Sequence, residues 1–251
     1  MKAIREMPWD PPFIMNVFYY LVDGLLIDTG PSSLASISIG FFNSHTINQV
    51  FLTHLHEDHA GMAFWMHENK QTPVYLHPGS IEEALREPDL AQYRLDLWGK
   101  RRAFQAVPAP PTISTGKHLF QVIDTPGHCR CHNVLYEQKQ GWLFSGDLLT
   151  NLKPASVFYE EDLGEMLLSI KKLLDFDIGT VFCTHRGIFN NGRELLVRKL
   201  NYLLQLQERI RDLRAQGLND EDINHRLFPR SNRLEGALGE DFSSYYIVHT
   251  L

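Results

Sequence analysis

The chain has 251 residues, 43% of them hydrophobic and 22% charged, and a formal net charge of −6. That length buries a sizeable core, as one large α/β domain or two small ones, and the composition is that of an ordinary soluble protein. The acidic balance argues against a nucleic acid as the main partner, because binding a polyanion normally needs a basic face.

The first twelve residues lack the apolar stretch of a signal peptide, and no segment approaches the length of a membrane span. The expected location is cytoplasmic, with no membrane partner. Residues Phe13 to Val22 and Leu25 to Ile27 read as a hairpin turning at Asp23-Gly24. Pro31 to Asn43 predicts a turn and a helix, Val50 to Thr53 a buried strand, Ala60 to Asn69 a helix, and Pro73 to His77 another strand. Ile81 to Ser114 is a long, partly helical excursion with Tyr93, Trp98 and Phe104, closing on Pro108-Ala109-Pro110-Pro111. Two readings stand for it, a wall or lid over a site and a surface excursion packed on the core. Its basic run Lys100-Arg101-Arg102 suits either an acidic substrate or a solvated helix face.

Phe120 to Ile123, Val134 to Glu137 and Trp142 to Ser145 continue as strands, with a turn near Gln140-Gly141. Leu163, Met166, Leu167, Ile170, Leu173 and Leu174 have helical spacing, and Thr180 to Cys183 returns to a strand. From Arg193 onward, Leu196, Leu200, Leu203, Leu206, Ile210 and Leu213 recur three and four apart. They predict a long amphipathic helix ending near Gly217. Asn219 caps a second helix ending around Pro229. The leucine stripe packs on its own domain or against a second copy as a homodimer. Strands followed by helices, twice over, imply two β-sheets packed face to face between helices: an αββα sandwich, with residues 1–192 as the core and 193–251 as a C-terminal helical extension.

The chemistry concentrates in Thr53-His54-Leu55-His56-Glu57-Asp58-His59, directly after the apolar Val50-Phe51-Leu52. Three imidazoles and a carboxylate at a strand end suit zinc and similar divalent ions. Three further segments repeat the arrangement: Thr125-Pro126-Gly127-His128, Phe144-Ser145-Gly146-Asp147 and Thr184-His185 each put a metal-competent side chain just past an apolar strand. Loops positioned by a rigid sheet are where sites are usually built.

In these motifs the chain resembles the metallo-β-lactamase-fold superfamily, specifically its hydrolases with a glyoxalase II-like dinuclear site, over roughly its first three quarters. The resemblance implies that His54, His56 and His128 hold a first metal, that Asp58, His59 and His185 hold a second, and that Asp147 bridges both. It places Asp28, in Leu25-Leu26-Ile27-Asp28-Thr29-Gly30, near the site without being a principal ligand. It also makes His132 a support for a ligand. The implied cofactors are two divalent ions, zinc first, with iron or manganese compatible with the same donors. The implied reaction is attack of metal-activated hydroxide on an ester, thioester or lactone carbonyl of a small molecule. Asp58 would both ligate and hydrogen-bond the attacking water. Flavodiiron relatives carry glutamate where this chain has His56, so that redox chemistry is not implied. A phosphodiesterase or nuclease is the alternative, although only 37 residues separate Asp147 from His185, too few for the inserted domain of RNA-processing members. An iron-dependent sulfur dioxygenase is another.

The three cysteines, Cys129, Cys131 and Cys183, all lie near these motifs, and an odd count without a signal peptide argues against a disulfide framework. Cys129-Arg130-Cys131 departs from the usual loop of relatives. Small residues filling the loop is the preferred reading over a metal-contacting or oxidant-sensing thiol.

Overall fold

The computed structural model describes residues 2–3, 16–229, 235 and 238–251. Most of residues 1–12, and residues 13–15 of the expected hairpin, lie outside that range. Two sheets dominate. The first runs in the order β3 (Tyr20–Val22), β4 (Leu25–Ile27), β5 (Gln49–Phe51), β6 (Val74–Leu76), β7 (Val107–Pro108), with β4 to β7 parallel. The second runs β14 (Gly187–Phe189), β13 (Thr180–Cys183), β11 (Trp142–Gly146), β10 (Asn133–Glu137), β9 (Leu119–Asp124), β8 (Thr112–Ser114). It is antiparallel except where β11 and β13 run side by side. Two short ribbons join distant parts of the chain: β1 (Lys2–Ala3) pairs β2 (Val17–Phe18), and β12 (Val157–Phe158) pairs β15 (Phe242–Ser243).

Three apolar clusters make the layers. Leu25, Ile27 and Phe51 of one sheet meet Ile113, Phe120, Leu135 and Phe144 of the other. On the outer face of the first sheet, Leu26, Val50 and Leu76 pack under Phe42 of α1 (Ala35–Ser44) and Met66 of α3 (Ala63–Lys70). Behind the second sheet, Val134, Leu143 and Val181 pack under Met166 and Ile170 of α6 (Leu163–Leu173) and Leu196, Leu200 and Leu203 of α7 (Gly192–Ala215). Alternation of strand side chains sends neighbours to opposite faces. The all-buried β4 and β10 therefore feed two clusters at once. At ~1.5–3 kcal/mol per fully buried aliphatic side chain, these layers fix the strand register, and with it the positions of the loops at the strand ends.

The observed architecture is the αββα sandwich. The leucine stripe of α7 is covered within the chain itself, from Leu195 to Leu213. Asn219 does cap the next helix, α8 (Asp220–Leu227), its side chain accepting from the Asp222 amide. Two expected elements differ. The first arm of the expected hairpin breaks at Tyr19, so that Val17–Phe18 pairs β1 while Tyr20–Val22 pairs β4. Helix formation starts before Ala60, in a single turn α2 (Glu57–Ala60), breaks at Gly61-Met62, and resumes as α3. The turn carries Asp58 and His59 on one short, buried helical step rather than in an open loop. The excursion 81–114 also contains more order than its composition suggests. After α4 (Ile81–Ala84) and α5 (Gln92–Trp98), its proline-rich end supplies β7 at the edge of one sheet and β8 at the edge of the other. Edge positions tolerate a residue without an amide proton. No helix among the described residues is long and apolar enough to cross a membrane.

Candidate metal centre

The strand ends deliver the seven side chains to one place. His54 and His56 follow β5, Asp58 and His59 sit on α2, His128 follows β9, Asp147 follows β11, and His185 follows β13. Two donor groups form there. His54, His56 and His128 are one; Asp58, His59, Asp147 and His185 are the other, with ligand-capable atoms within 4.8 Å of each other in each group. Asp147 lies between them. Its Oδ1 stands 3.2 Å from His59 Nε2, and its Oδ2 stands 3.2 Å from His185 Nε2 and 3.5 Å from His128 Nε2.

The outer nitrogen of each imidazole has a neighbour that sets which nitrogen faces inward. His59 Nδ1 is 2.8 Å from Asp28 Oδ2, and His185 Nδ1 is 2.8 Å from the Asn16 carbonyl, an acceptor only. Both rings therefore carry a proton on Nδ1 and turn Nε2 toward the centre. His54 Nδ1 lies 3.1 Å from Thr53 Oγ1, whose hydroxyl donates to Asp28. His56 is turned the other way: Nε2 faces Glu160 Oε1 at 3.0 Å, and Nδ1 faces the centre. His128 Nδ1 is 3.5 Å from Glu161 Oε1. Such outer partners fix the tautomer and orientation of metal-binding imidazoles.

The same geometry tests whether a cation fits. With their outer nitrogens occupied, His56 Nδ1 and His128 Nε2 point lone pairs at each other across 3.0 Å. His59 Nε2 and Asp147 Oδ1, two acceptors 3.2 Å apart, make no hydrogen bond of good geometry, and buried His54 Nε2 has no hydrogen-bond partner either. Buried acceptors facing acceptors are costly unless positive charge lies between them. The donor set fits divalent ions of the zinc type.

Electrostatics agree. Burial would raise the Asp147 carboxyl, but His185 and His59 pull it well below the ordinary carboxylate range. Asp58 is also held low, against burial, by His59 and His185. Burial would lower His59, yet Asp28, Asp147 and Asp58 raise it well above the ordinary imidazole value, and Asp147 and Asp58 do the same to His185. Without metal, protons supply the cation this centre demands. His54, buried among other imidazoles rather than carboxylates, is pushed well down by burial and then by His59 and His56.

Asp28 and His132 sit behind the donors. Asp28 accepts from the Thr53 amide at 2.8 Å and holds His59, from a backbone φ of 59° that is uncommon outside glycine. His132 Nε2 accepts from the Asp147 amide at 3.2 Å, which places its ring proton on Nδ1, 2.9 Å from Thr125 Oγ1. It cannot turn Nε2 to a metal without releasing Asp147. Burial and the neighbouring His128 push it well below its ordinary value. Gly146 makes this possible. Its φ is 47°, and a side-chain carbon there would stand 2.6 Å from His132 Nε2. None of the cysteines joins either donor group. Burial pushes the Cys129 thiol up, and Cys131 Sγ lies beside Gly79.

Several residues escaped the sequence reading. Glu160 and Glu161 hold the two imidazoles just described. Burial opposes ionisation of Glu160, but His56 and Arg94 bring it down to about 2. Arg94, on α5, binds Glu57 through Nε and Nη2, both at 2.9 Å, and reaches Glu160 at 3.6 Å. The excursion is therefore a wall: Tyr93, Arg94, Leu97 and Trp98 line the pocket that contains His56, Asp58, His128, Asp147 and His185. The basic run beside it makes contacts within the chain. Lys100 pairs with Glu87, Arg101 is buried, and Arg102 lies 3.7 Å over the Phe64 ring.

The model of the Metallo-beta-lactamase superfamily matches residues 15–185. The chain belongs to the metallo-beta-lactamase superfamily. Within it, the chain is similar to the hydroxyacylglutathione hydrolase of Legionella pneumophila (strain Lens), 30% identical over 186 residues, covering 71% of this chain and 65% of that one. The chain spans between about half and two thirds of the length of the curated relatives first matched. The crystal structure of BLEG-1 B3 metallo-beta-lactamase is 26% identical, with a TM-score of 0.57 over 78% of this chain and 96% of that one. A superfamily protein from Thermus thermophilus shares the fold over 99% of this chain and 90% of its own, with a TM-score of 0.65 at 18% identity.

Proposed function

We propose that this chain is a dinuclear metal-dependent hydrolase acting on the carbonyl of a small ester, thioester or lactone. The observation that carries the reading is the position of Asp147 between two donor groups, with oxygens directed at His59 on one side and at His128 and His185 on the other. His54, His56 and His128 would hold one ion, Asp58, His59 and His185 the other, and Asp147 both. Bound there, divalent ions supply a water acidic enough to ionise near neutral pH and a Lewis acid for the carbonyl oxygen. Zinc suits the donors first; iron and manganese are compatible.

The chain's own residues do the rest. Asp58 presents a buried carboxylate to the centre, its Oδ2 3.1 Å from His185 Nε2, where it orients the attacking water by accepting its hydrogen bond. Asp28, Glu160, Glu161 and the Asn16 carbonyl keep the imidazoles aimed. Leu97, Trp98, Val157 and Phe158 give the pocket an apolar wall beside the donors. Residues 193–251 are read as an extension on the 1–192 core, and the working environment as cytoplasmic.

The test pairs metal analysis of protein purified without chelator with a substrate panel of ester, thioester, lactone and phosphodiester. Metal content should approach two ions per chain. Acyl hydrolysis should be abolished by chelation and restored by zinc or manganese. Phosphodiester cleavage far exceeding every acyl rate would replace the acyl reading. Metal content fixed near one, with oxygen consumption on a persulfide, would replace it with a dioxygenase.

A further inference from the structure

The pocket over the donor groups is a cavity of ≈290 Å³, at the small end of the ~300–1,000 Å³ range of ligand sites. Its apolar wall comes from three separate parts of the chain. Trp98 comes from α5, Phe158 and Leu163 from β12 and the start of α6, and Phe242 from the C-terminal part. The Trp98 ring lies 6.4 Å from that of His185. Phe158 and Phe242 meet at 4.9 Å, held together by the pairing of β12 with β15. Phe158 is two residues from Glu160, which faces His56. Apolar surface thus flanks both donor groups.

Among the described residues, the charged groups of the pocket outside the donor groups are already engaged. Arg94 is bound to Glu57 and reaches Glu160. Lys199, 3% exposed, donates from Nζ to the Leu148 carbonyl at 2.7 Å. Glu160 and Glu161 face His56 and His128. An anionic substrate arm would have to displace one of these partners, and burying an ionised group without a partner is costly.

We propose that the substrate carries a neutral, apolar acyl arm, an aliphatic or aromatic chain on an ester or thioester carbonyl, received by Trp98, Leu163 and the Phe158–Phe242 pair. This rests on the acyl-hydrolase reading and narrows its substrate class. The arm starts at the carbonyl over the donor groups and runs along the aromatic wall. An uncharged terminus leaves the Arg94–Glu57 pair and the Lys199 hydrogen bond to the Leu148 carbonyl in place.

The experiment uses metal-loaded full-length protein and nitrophenyl esters of one leaving group, from acetate through octanoate, with an ω-carboxylate ester of matched length. In parallel, calorimetry follows binding of the corresponding fatty-acid anions from acetate to octanoate. The expected kcat/KM rises about fourfold per methylene, the factor for burying one CH₂, until the cavity is filled. The ω-carboxylate ester falls well below its neutral counterpart. Binding tightens by a similar factor, with a negative heat-capacity change. Trp98→Ala and Phe242→Ala flatten the dependence on chain length; thermal unfolding and metal content verify that each variant is folded and loaded. Ester cleavage with a flat or inverted dependence, or a preference for the charged arm that Lys199→Met removes, overturns the apolar arm and leaves the hydrolase reading standing. Chain-length-dependent binding without any ester cleavage supports the apolar arm and overturns the reaction class instead.

Discussion

Replacing Asp28 by Asn tests the link between backbone, outer contact and metal. Asparagine keeps the size of the side chain and tolerates the left-handed φ of 59°. It keeps one acceptor oxygen, which can still serve the Thr53 amide. The other position becomes an NH₂ group facing His59 Nδ1–H, where the carboxylate now stands at 2.8 Å. Two donors then meet in a fully buried site. An unsatisfied buried donor costs ~1–3 kcal/mol. The ring escapes that cost by moving its proton to Nε2, which blocks the nitrogen aimed at Asp58 and Asp147. Loss of an outer partner of this kind weakens metal binding about 10- to 100-fold, or ~1.4–2.7 kcal/mol at 1.36 kcal/mol per decade. The two routes agree in size. The assay is a stepwise zinc titration against a chromophoric chelator. The tighter or weaker step belonging to the His59 group should shift by that factor, while the step belonging to His54, His56 and His128 moves by less. Wild-type affinity at both steps would refute the reasoning, as would a loss confined to the other site.

Asp147→Ala should lower zinc content at both sites together, whereas His185→Ala should lower mainly one, read as ions per chain by elemental analysis. Glu160→Gln removes the carboxylate facing His56 Nε2 and should weaken the site of His54, His56 and His128 by about tenfold, leaving the other titration step in place; equal loss at both steps would contradict the assignment of Glu160 to His56. Metal-free and metal-loaded protein should respond to pH in opposite senses. In the metal-free chain His59 and His185 have raised values, so their contribution to stability is complete below the unfolded imidazole value and is lost as pH rises through the raised one. The depressed Asp58 and Asp147 contribute above the unfolded carboxylate value and lose that contribution as pH falls through their depressed ones. Metal binding needs deprotonated ligands and weakens on acidification. The melting temperature of chelator-treated protein should therefore fall on mild alkalinisation, while the increment added by zinc grows.

Much of this centre was legible because its signals are local. His54, His56, Asp58 and His59 lie within six residues, and the other donors each follow an apolar strand with a glycine close by. The amphipathic period of α7 and the Asn219 cap were equally plain. The contacts behind the ligands were not. Glu160 and Glu161 sit in an acidic Glu-Glu-Asp stretch that reads as solvated surface, and the histidines they face are 104 and 33 residues away in the chain. Nothing in the period of residues 81–114 shows that Arg94 will find Glu57, since that pairing depends on where neighbouring strands of the first sheet bring the helices that follow them. The break at Gly61-Met62 was missed because a short helical turn before a longer helix gives no separate period. The strands β7 and β8 hide in a proline-rich run that looks like a loop because each occupies a sheet edge.

The ribbon of β12 and β15 also sets an order in time. All seven donors occur by residue 185, but Phe242, which closes the wall against Phe158, follows 57 residues later. At ~5–20 residues per second of synthesis, a growing chain spends roughly 3–11 s with every donor translated and that wall unmade. The coordinating groups are thus synthesised before the aromatic partner that encloses them.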